Sequence, residues 1–125
     1  MSAHTDYKET KRVRGLKAKE YRKKNHADIM NKYPILKRYS EGTIQELSYI
    51  STVGHGEIQC RQVFGQYYLT RDTWERACKL HDNGVIRLRY VDRIGEWYVC
   101  LNTDSTDLED YLLAVYQENS WKGLP

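Results

Sequence analysis

Long apolar runs are missing from this sequence. A membrane-spanning helix needs about 20 consecutive apolar residues, and no run approaches that length. The first residues, MSAHTDYKETKRVR, carry charges where a signal peptide would have its apolar region. We therefore expect a chain that is made and kept in the cytoplasm, without a membrane partner.

Cysteine is scarce. Cys60, Cys78 and Cys100 are odd in number and widely spaced, which disfavours a disulfide framework and is typical of reduced thiols. Cys78 and His81, with His55 and Cys60 upstream, could form a mixed metal site on paper, but the spacing lacks the tight pairs of zinc sites. We expect buried thiols, with no metal and no cofactor.

Motifs of catalysis are missing as well. There is no nucleophile elbow, phosphate-binding glycine loop, zinc-hydrolase motif or pair of catalytic carboxylates. None of the four histidines has a nucleophile or acid at local spacing. We therefore expect a protein that is not an enzyme.

The length, 125 residues with 40% hydrophobic and 30% charged residues, is that of one ordinary globular domain. Positive charge is concentrated near the start: residues 8–24 hold nine Lys/Arg and two Glu, a net charge of +7 within a total of +3. Residues 1–24 lack an apolar stripe and contain Gly15, which predicts a flexible basic arm that orders on a partner.

Such a segment favours contact with nucleic-acid phosphates, because neutralised phosphates release counterions. A solvated basic surface is the alternative, and RNA would suit the arm as well as DNA. The cations predicted to contact DNA are Lys11, Arg12, Arg14, Lys17, Arg22, Lys23 and Lys24.

Turn and periodicity signals divide the rest of the chain. A helix is predicted over residues 26–33, bounded by Pro34. A second is predicted over GTIQELSYIST, residues 42–52, before Gly54 and Gly56. Its buried face is predicted to contain Ile44, Leu47, Tyr49 and Ile50.

A short helix is then predicted in RQVFGQYY and a longer one in TRDTWERACKLHDNG, with Thr70 as N-cap and a stop at Asn83-Gly84. The inward stripe of the longer helix is predicted to be Trp74, Ala77, Cys78 and His81. The residues left facing out are Arg71, Asp72, Glu75, Arg76 and Lys79.

After Gly84 the period changes to that of a strand. VIRLRY and EWYVCL alternate apolar residues with others, and VDRIG between them supplies a short loop with glycine. The pattern predicts a β-hairpin over residues 85–101.

The order helix, short helix, turn, helix, hairpin over residues 42–102 resembles the winged helix-turn-helix family of DNA-binding domains. Phe64 and Tyr68 stand where that family usually has Ala and Gly, and the late aliphatic position is Leu80, one residue early, or His81 in register. The residues in step with the family's pattern are Arg61, Val63, Leu69, Thr70, Arg71, Thr73, Trp74 and Ala77.

The resemblance implies an α+β protein with a winged helix-turn-helix core (three helices plus a β-hairpin wing), which we assign to residues 25–102. Charge and periodicity add a basic arm at 1–24 and a C-terminal helix at 103–125. It implies sequence-specific binding of double-stranded DNA, with the helix at 70–83 in the major groove. A transcription regulator or a plasmid or phage accessory factor would work this way. The predicted DNA contacts of the core are Thr70, Arg71, Asp72, Thr73, Arg76, Lys79 and, at the wing tip, Arg93.

The C-terminal segment carries an amphipathic stripe, with Thr106 and Glu109 at capping-box spacing. This helix either folds back on the core or pairs with a second copy, and the two-fold symmetry of many DNA sites favours a homodimer. The predicted dimer residues are Leu108, Tyr111, Leu112, Val115 and Tyr116. Eleven tyrosines and three tryptophans also fit a second hypothesis, a protein-interaction module or inhibitor that acts on a protein partner.

Overall fold

The protein is α+β, with helices around a small antiparallel sheet. The computed structural model describes residues 3–53, 56–64, 70–102 and 106–122. Of the helices in these ranges, none combines the length and the apolar character that a bilayer crossing requires. The elements in chain order are α1 (Ala3–Lys32), a 3-10 helix (Pro34–Arg38), α2 (Glu41–Ser51), β1 (Ile58–Gln59), α3 (Cys60–Phe64), α4 (Arg71–Asp82), β2 (Ile86–Val91), β3 (Glu96–Leu101) and α5 (Thr106–Lys122).

The basic N-terminal segment is helical, which corrects the expectation of an arm broken at Gly15. Helix α1 passes through Gly15, whose position is buried, and continues to Lys32. Its inward side repeats every three or four residues through Gly15, Ala18, Arg22, Asn25 and Ile29. Only Ile29 among them is a large apolar residue, so an apolar pattern does not reveal this side of the helix. A glycine inside a helix lowers the stability of that helix by about 1 kcal/mol relative to alanine. Packing of α1 against α5 compensates for this loss.

Helix α2 lies where the sequence predicts it. Leu47 and Ile50 are fully buried and Ile44 is half-buried against the core. The predicted inward position of Tyr49 is wrong, since its side chain is 47% exposed. Two residues along a helix correspond to a rotation of about 200°, which carries Tyr49 to the side opposite Leu47.

Helix α4 begins at the predicted N-cap. Thr70 Oγ1 accepts a hydrogen bond from the Thr73 N–H at 3.2 Å, and Thr73 Oγ1 accepts one from the Thr70 N–H at 2.9 Å. Ala77 and Leu80 are fully buried. The side chain of His81 is 48% exposed, so the inward stripe ends on Leu80 and the prediction for His81 is wrong.

The sheet has the strand order β1-β3-β2, all antiparallel. Val99 in β3 is the centre, because it pairs with Ile58 on one side and Leu88 on the other. The hairpin is confirmed, and Gly95 in its loop has the positive φ of 73° that favours glycine. Strand β1 has two residues, too few to give an alternating pattern, and the sequence did not predict it.

Helix α5 closes the core of its own chain. It lies antiparallel to α1 and also packs on α2. The stripe expected to pair with a second copy is therefore used within the chain. Its buried members are Leu108, Tyr111, Leu112 and Val115. Tyr116 differs from them, since 38% of it is exposed.

Candidate nucleic-acid interface

The solvent face of α4 carries both charge signs. Arg71 and Lys79 lie on it with Asp72, Glu75 and Asp82, a sum of one negative charge. The Arg71 side chain is 91% exposed, and its Nε lies 3.2 Å from Glu75 Oε1. Exposed pairs of this kind are readily exchanged for other partners. The face therefore offers donors and acceptors to base edges but little net attraction for phosphate.

Arg76 does not belong to this face, and the prediction that it points outward is wrong. Its guanidinium donates to Thr43 Oγ1 at 2.8 Å and lies 3.1 Å from Glu46 Oε1, both on α2. It also lies over the Phe64 ring, 5.9 Å from the centroid. Burial raises the pKa of Glu46, although the Arg76 charge and hydrogen bond act to lower it. Arg76 thus joins α4 to α2 and is not available as a free donor.

The hairpin tip is the second exposed feature. Arg93 and Ile94 are exposed in the loop between β2 and β3, where the Gly95 N–H donates to the Val91 carbonyl at 2.8 Å. In β2, on the sheet side of this loop, Arg89 donates to both carboxylate oxygens of Glu57. This interaction lowers the pKa of the Glu57 carboxyl group. The loop thus holds Arg93 at the far end of the hairpin.

Aromatic side chains join α4 to the hairpin. The Trp74 and Trp97 ring centroids lie 4.8 Å apart, and Tyr90 lies 5.2 Å from Trp97 on the neighbouring strand. Tilted rings at these distances add to the stabilisation from burial. Trp74 comes from the first turns of α4, so the cluster fixes the start of that helix against the hairpin. The sequence placed Trp74 inward but gave no sign of its partner.

The cations of α1 divide by helix spacing into two flanks. Arg12, Lys19 and Lys23, separated by seven and four residues, share one flank. Arg14, Lys17 and Lys24 share the other. Arg12 lies 2.6 Å from Glu9, which lowers the pKa of that exposed carboxylate. Lys19 is half-buried and the other five are exposed.

Arg22 is the exception among the predicted contacts of this segment. Its Nε lies 2.5 Å from Glu118 Oε2, and Glu118 is only 3% exposed. The hydrogen bond raises the pKa of Arg22, and burial acts against it. Because the pair holds α1 to α5, the Arg22 guanidinium is engaged within the chain, which argues against the predicted DNA contact. Lys11, which is half-buried, also lies on this inward side.

Helix α2 connects α1 to α4 near its N-terminus. Arg22 of α1 and Glu41 of α2 line one cavity, while Thr43 and Glu46 hold Arg76 of α4. Glu41 and Glu46 are less than two helical turns apart, about 8 Å along the axis. The middle of α1 and the middle of α4 therefore approach the same end of α2.

The cysteines lie mostly inside. Cys60 is fully buried, and this burial, with a smaller contribution from Cys78, raises its pKa to about 12. Among the residues that the structure describes, no group of three or more His, Cys, Asp or Glu is placed to hold a metal. His55, Tyr68 and Leu69 lie outside those residues.

No family model matches the sequence, and comparisons with curated proteins and with solved structures find no significant match.

Proposed function

We propose that this chain binds double-stranded DNA, with α4 as the helix that enters the major groove and the β2–β3 hairpin as a wing. The observation that supports this proposal best is the order of the helices and strands in residues 41–101. A helix, a short strand, two further helices and a hairpin follow one another, and the first strand pairs with the last to give the order β1-β3-β2. The helices and the hairpin stand in the order of the winged helix-turn-helix family that the sequence resembles, and β1 adds a strand that the resemblance did not predict.

The exposed face of α4 has the chemistry for reading base edges. A helix of about 10–12 Å diameter fits a major groove about 12 Å wide. Arg71 lies in the first turn, between the N-cap residue Thr70 and Asp72. Because its side chain is exposed, its guanidinium can donate to guanine or phosphate. The Thr73 hydroxyl is hydrogen-bonded to the Thr70 backbone in the helix cap. We therefore assign Thr73 a contact with the DNA backbone and not with a base edge. Lys79, two turns on, is suited to phosphate.

The attraction to phosphate must then come from other elements, because α4 has no positive excess. We assign it to the α1 flank of Arg12, Lys19 and Lys23 and to Arg93 at the wing tip. The proposal requires this flank, the wing tip and α4 to reach one duplex. In this division α4 selects the sequence, while α1 and the wing tip supply affinity that depends on salt.

Fluorescence anisotropy with a labelled duplex in a salt series tests the proposal. Each lost phosphate contact lowers the slope of log affinity against log salt by about 0.9. We expect that change for Lys23→Ala. Lys32→Ala is the matched control, because Lys32 is the same residue type on the same helix but is bound to Asp107 at 2.8 Å. Absence of any binding at about 50 mM salt, where even non-specific contacts register, overturns the proposal.

Selection from a random duplex library tests the role of α4. Arg71→Ala should weaken the selected site by about 1–3 kcal/mol relative to random DNA. Lys79→Ala should weaken all sequences about equally. If the two variants have the same effect on selected and random DNA, α4 does not read bases.

A second candidate function is protein binding by the hairpin. Tyr90 is 46% exposed beside Trp97, and Ile94 at the tip is 50% exposed. Exposed aromatic and aliphatic side chains on a rigid support are typical of binding hot spots. The anisotropy titration separates the two candidates. A chain that acts only through this surface shows no salt-dependent affinity for DNA.

A further inference from the structure

A cavity lies where α1, α2 and α5 meet the segment that begins with the 3-10 helix. Its volume is about 510 Å³, and each of these elements contributes side chains to its wall. Small-molecule sites in proteins have volumes of about 300–1,000 Å³ and combine an apolar lining with a few polar groups. The residues that line this cavity come neither from α4 nor from the hairpin, so the DNA contacts proposed above do not use it.

The wall supplied by α1 changes from polar to apolar along its length. Arg22, His26 and Met30 line the cavity at intervals of four residues, which places them on one face of the helix over about 12 Å. Arg22 is half-buried, whereas Met30 is buried. Leu36 and Ile44 add apolar side chains from the 3-10 helix and from α2.

The wall supplied by α5 changes in the same direction. Arg22 binds Glu118 and His26 binds Tyr111, so α1 and α5 are antiparallel along the cavity. Asn119, next to Glu118 in the chain, therefore lies at the Arg22 end. Tyr111 lies about two turns away on the same helix and is only 2% exposed. The cavity thus has a polar end and an apolar end.

The polar end offers both a hydrogen-bond donor and an acceptor. Arg22 binds Glu118 through Nε and Nη2, and the described residues supply no partner for its Nη1 group. Asn119 Nδ2 donates to the Val115 carbonyl at 2.9 Å, while Oδ1 of the same side chain has no partner in that part of the chain. An amide accepts through its oxygen and donates through its nitrogen. Such a group can satisfy Arg22 and Asn119 together.

The charges around the cavity favour a neutral ligand. Two cations, Arg22 and Lys37, and two carboxylates, Glu41 and Glu118, line the cavity together with His26. The formal charges of the four cancel. At the polar end Arg22 and Glu118 already neutralise each other, so a charged ligand would lose its hydration there without gaining an unpaired opposite charge.

We propose that this cavity binds a neutral, elongated aromatic molecule that carries an amide head group. The head group accepts a hydrogen bond from Arg22 and donates one to Asn119. The flat body lies towards Met30, where the rings of Tyr39 and Tyr111 line the cavity and favour an aromatic partner. This site is a further binding activity of the chain, separate from the proposed contact with DNA.

Proton–carbon NMR of the full chain, labelled at its methionine, leucine and isoleucine methyl groups, tests the proposal with cinnamamide as the probe. The titration is done without DNA at pH 8, where histidine side chains are mostly neutral. We expect saturable shifts of the Met30, Leu36 and Ile44 methyl signals, with a dissociation constant on the order of 1 mM for a molecule of this size. Leu113, in the outer groove between α1 and α5, and Ile94, at the hairpin tip, should not respond.

The same titration with cinnamate and with cinnamylamine tests the neutral head group. Both molecules keep the aromatic body but carry a negative or a positive charge, so each should bind about threefold or more weakly than cinnamamide. Absence of saturable shifts, shifts of the same size at Leu113, or equal affinity for the three molecules overturns the proposal.

Asn119→Leu tests the position of the head group. Loss of the acceptor should raise the dissociation constant of cinnamamide about threefold to tenfold. Gln117→Leu is the matched control, because Gln117 is also a half-buried amide of α5 but lines the outer groove instead. Equal affinities of the two variants would contradict the assignment.

Asn119→Asp gives a second test that retains an acceptor at this position. The added negative charge should reverse the order of affinities, so that cinnamylamine binds more tightly than cinnamamide. If the order does not change, the head group does not lie beside residue 119 and the proposal is wrong. Because DNA is absent from these titrations, their outcome is independent of the DNA-binding proposal.

Discussion

Arg22 of α1 donates to both carboxylate oxygens of Glu118 on α5, at 2.5 and 3.2 Å, and the Glu118 side chain is only 4% exposed. This pair is the main polar link between the two longest helices. It places one cation of a basic segment inside the protein, next to the hydrogen bond that joins His26 to Tyr111 at 2.8 Å.

Arg22→Met should destabilise the protein by about 2 kcal/mol, because it leaves the Glu118 carboxylate buried without its partner. The penalty is below that of a fully buried pair, since 27% of the Arg22 side chain is exposed. The double variant Arg22→Met/Glu118→Leu should recover most of the loss. Urea unfolding followed by circular dichroism measures both. Arg12→Met, which breaks an exposed pair with Glu9, should have no measurable effect.

Thr70→Ala should cost about 1 kcal/mol by removing the side-chain acceptor for the Thr73 N–H at the start of α4. Chemical unfolding gives the value. Thr52→Ala is the control, because the Thr52 hydroxyl donates to the Tyr49 carbonyl and caps no N–H group. Equal losses in the two variants would show that the hydroxyl of Thr70 has no special role.

Glu46 should make the protein less stable as the pH rises. Burial raises the pKa of Glu46 above its ordinary value of 4.5, so the folded chain keeps a proton that the unfolded chain has released. This group therefore favours the unfolded chain increasingly as the pH climbs from 4.5 through the raised pKa, and the effect is constant above it. Glu46→Gln should flatten that part of a melting-temperature curve.

Cys60 should resist alkylation in the folded protein. Its thiol is fully buried and has a pKa of about 12, so at pH 8 almost none is the reactive thiolate. Maleimide labelling followed by mass spectrometry should modify Cys78 and Cys100 first, both of which are half-buried. Cys60 should react only after urea is added. Labelling of Cys60 at the rate of the other two in native buffer would contradict its placement in the core.

Short sequence patterns were sufficient to predict several helices and strands. Thr70 with Thr73 set the start of α4, the alternation on each side of Gly95 set the hairpin, and the spacing of Leu47 and Ile50 set the inner face of α2. In each case the signal lies within a few residues. Strand β1 carries no such signal, because two residues become a strand only when β3 lies beside them.

The orientation of individual cations required the tertiary structure. Arg71 and Arg76 look equivalent in the sequence, yet one is 91% exposed on its side chain and the other is held by Thr43 and Glu46. Arg22 looks like any other lysine or arginine of its segment until Glu118, 96 residues away in the chain, is placed opposite it.

The sequence by itself determined the N-cap of α4, the hairpin, the basic character of residues 8–24 and the absence of a long apolar run, because each depends on neighbouring residues. Only the tertiary structure decided that the basic segment is a helix, that the α5 stripe is buried in its own chain, and which charges remain at the surface. Those outcomes depend on partners far apart in the chain. Burial determines both the stability of α1 and which charges are available at the surface. It arises only when segments that are distant in the sequence pack together.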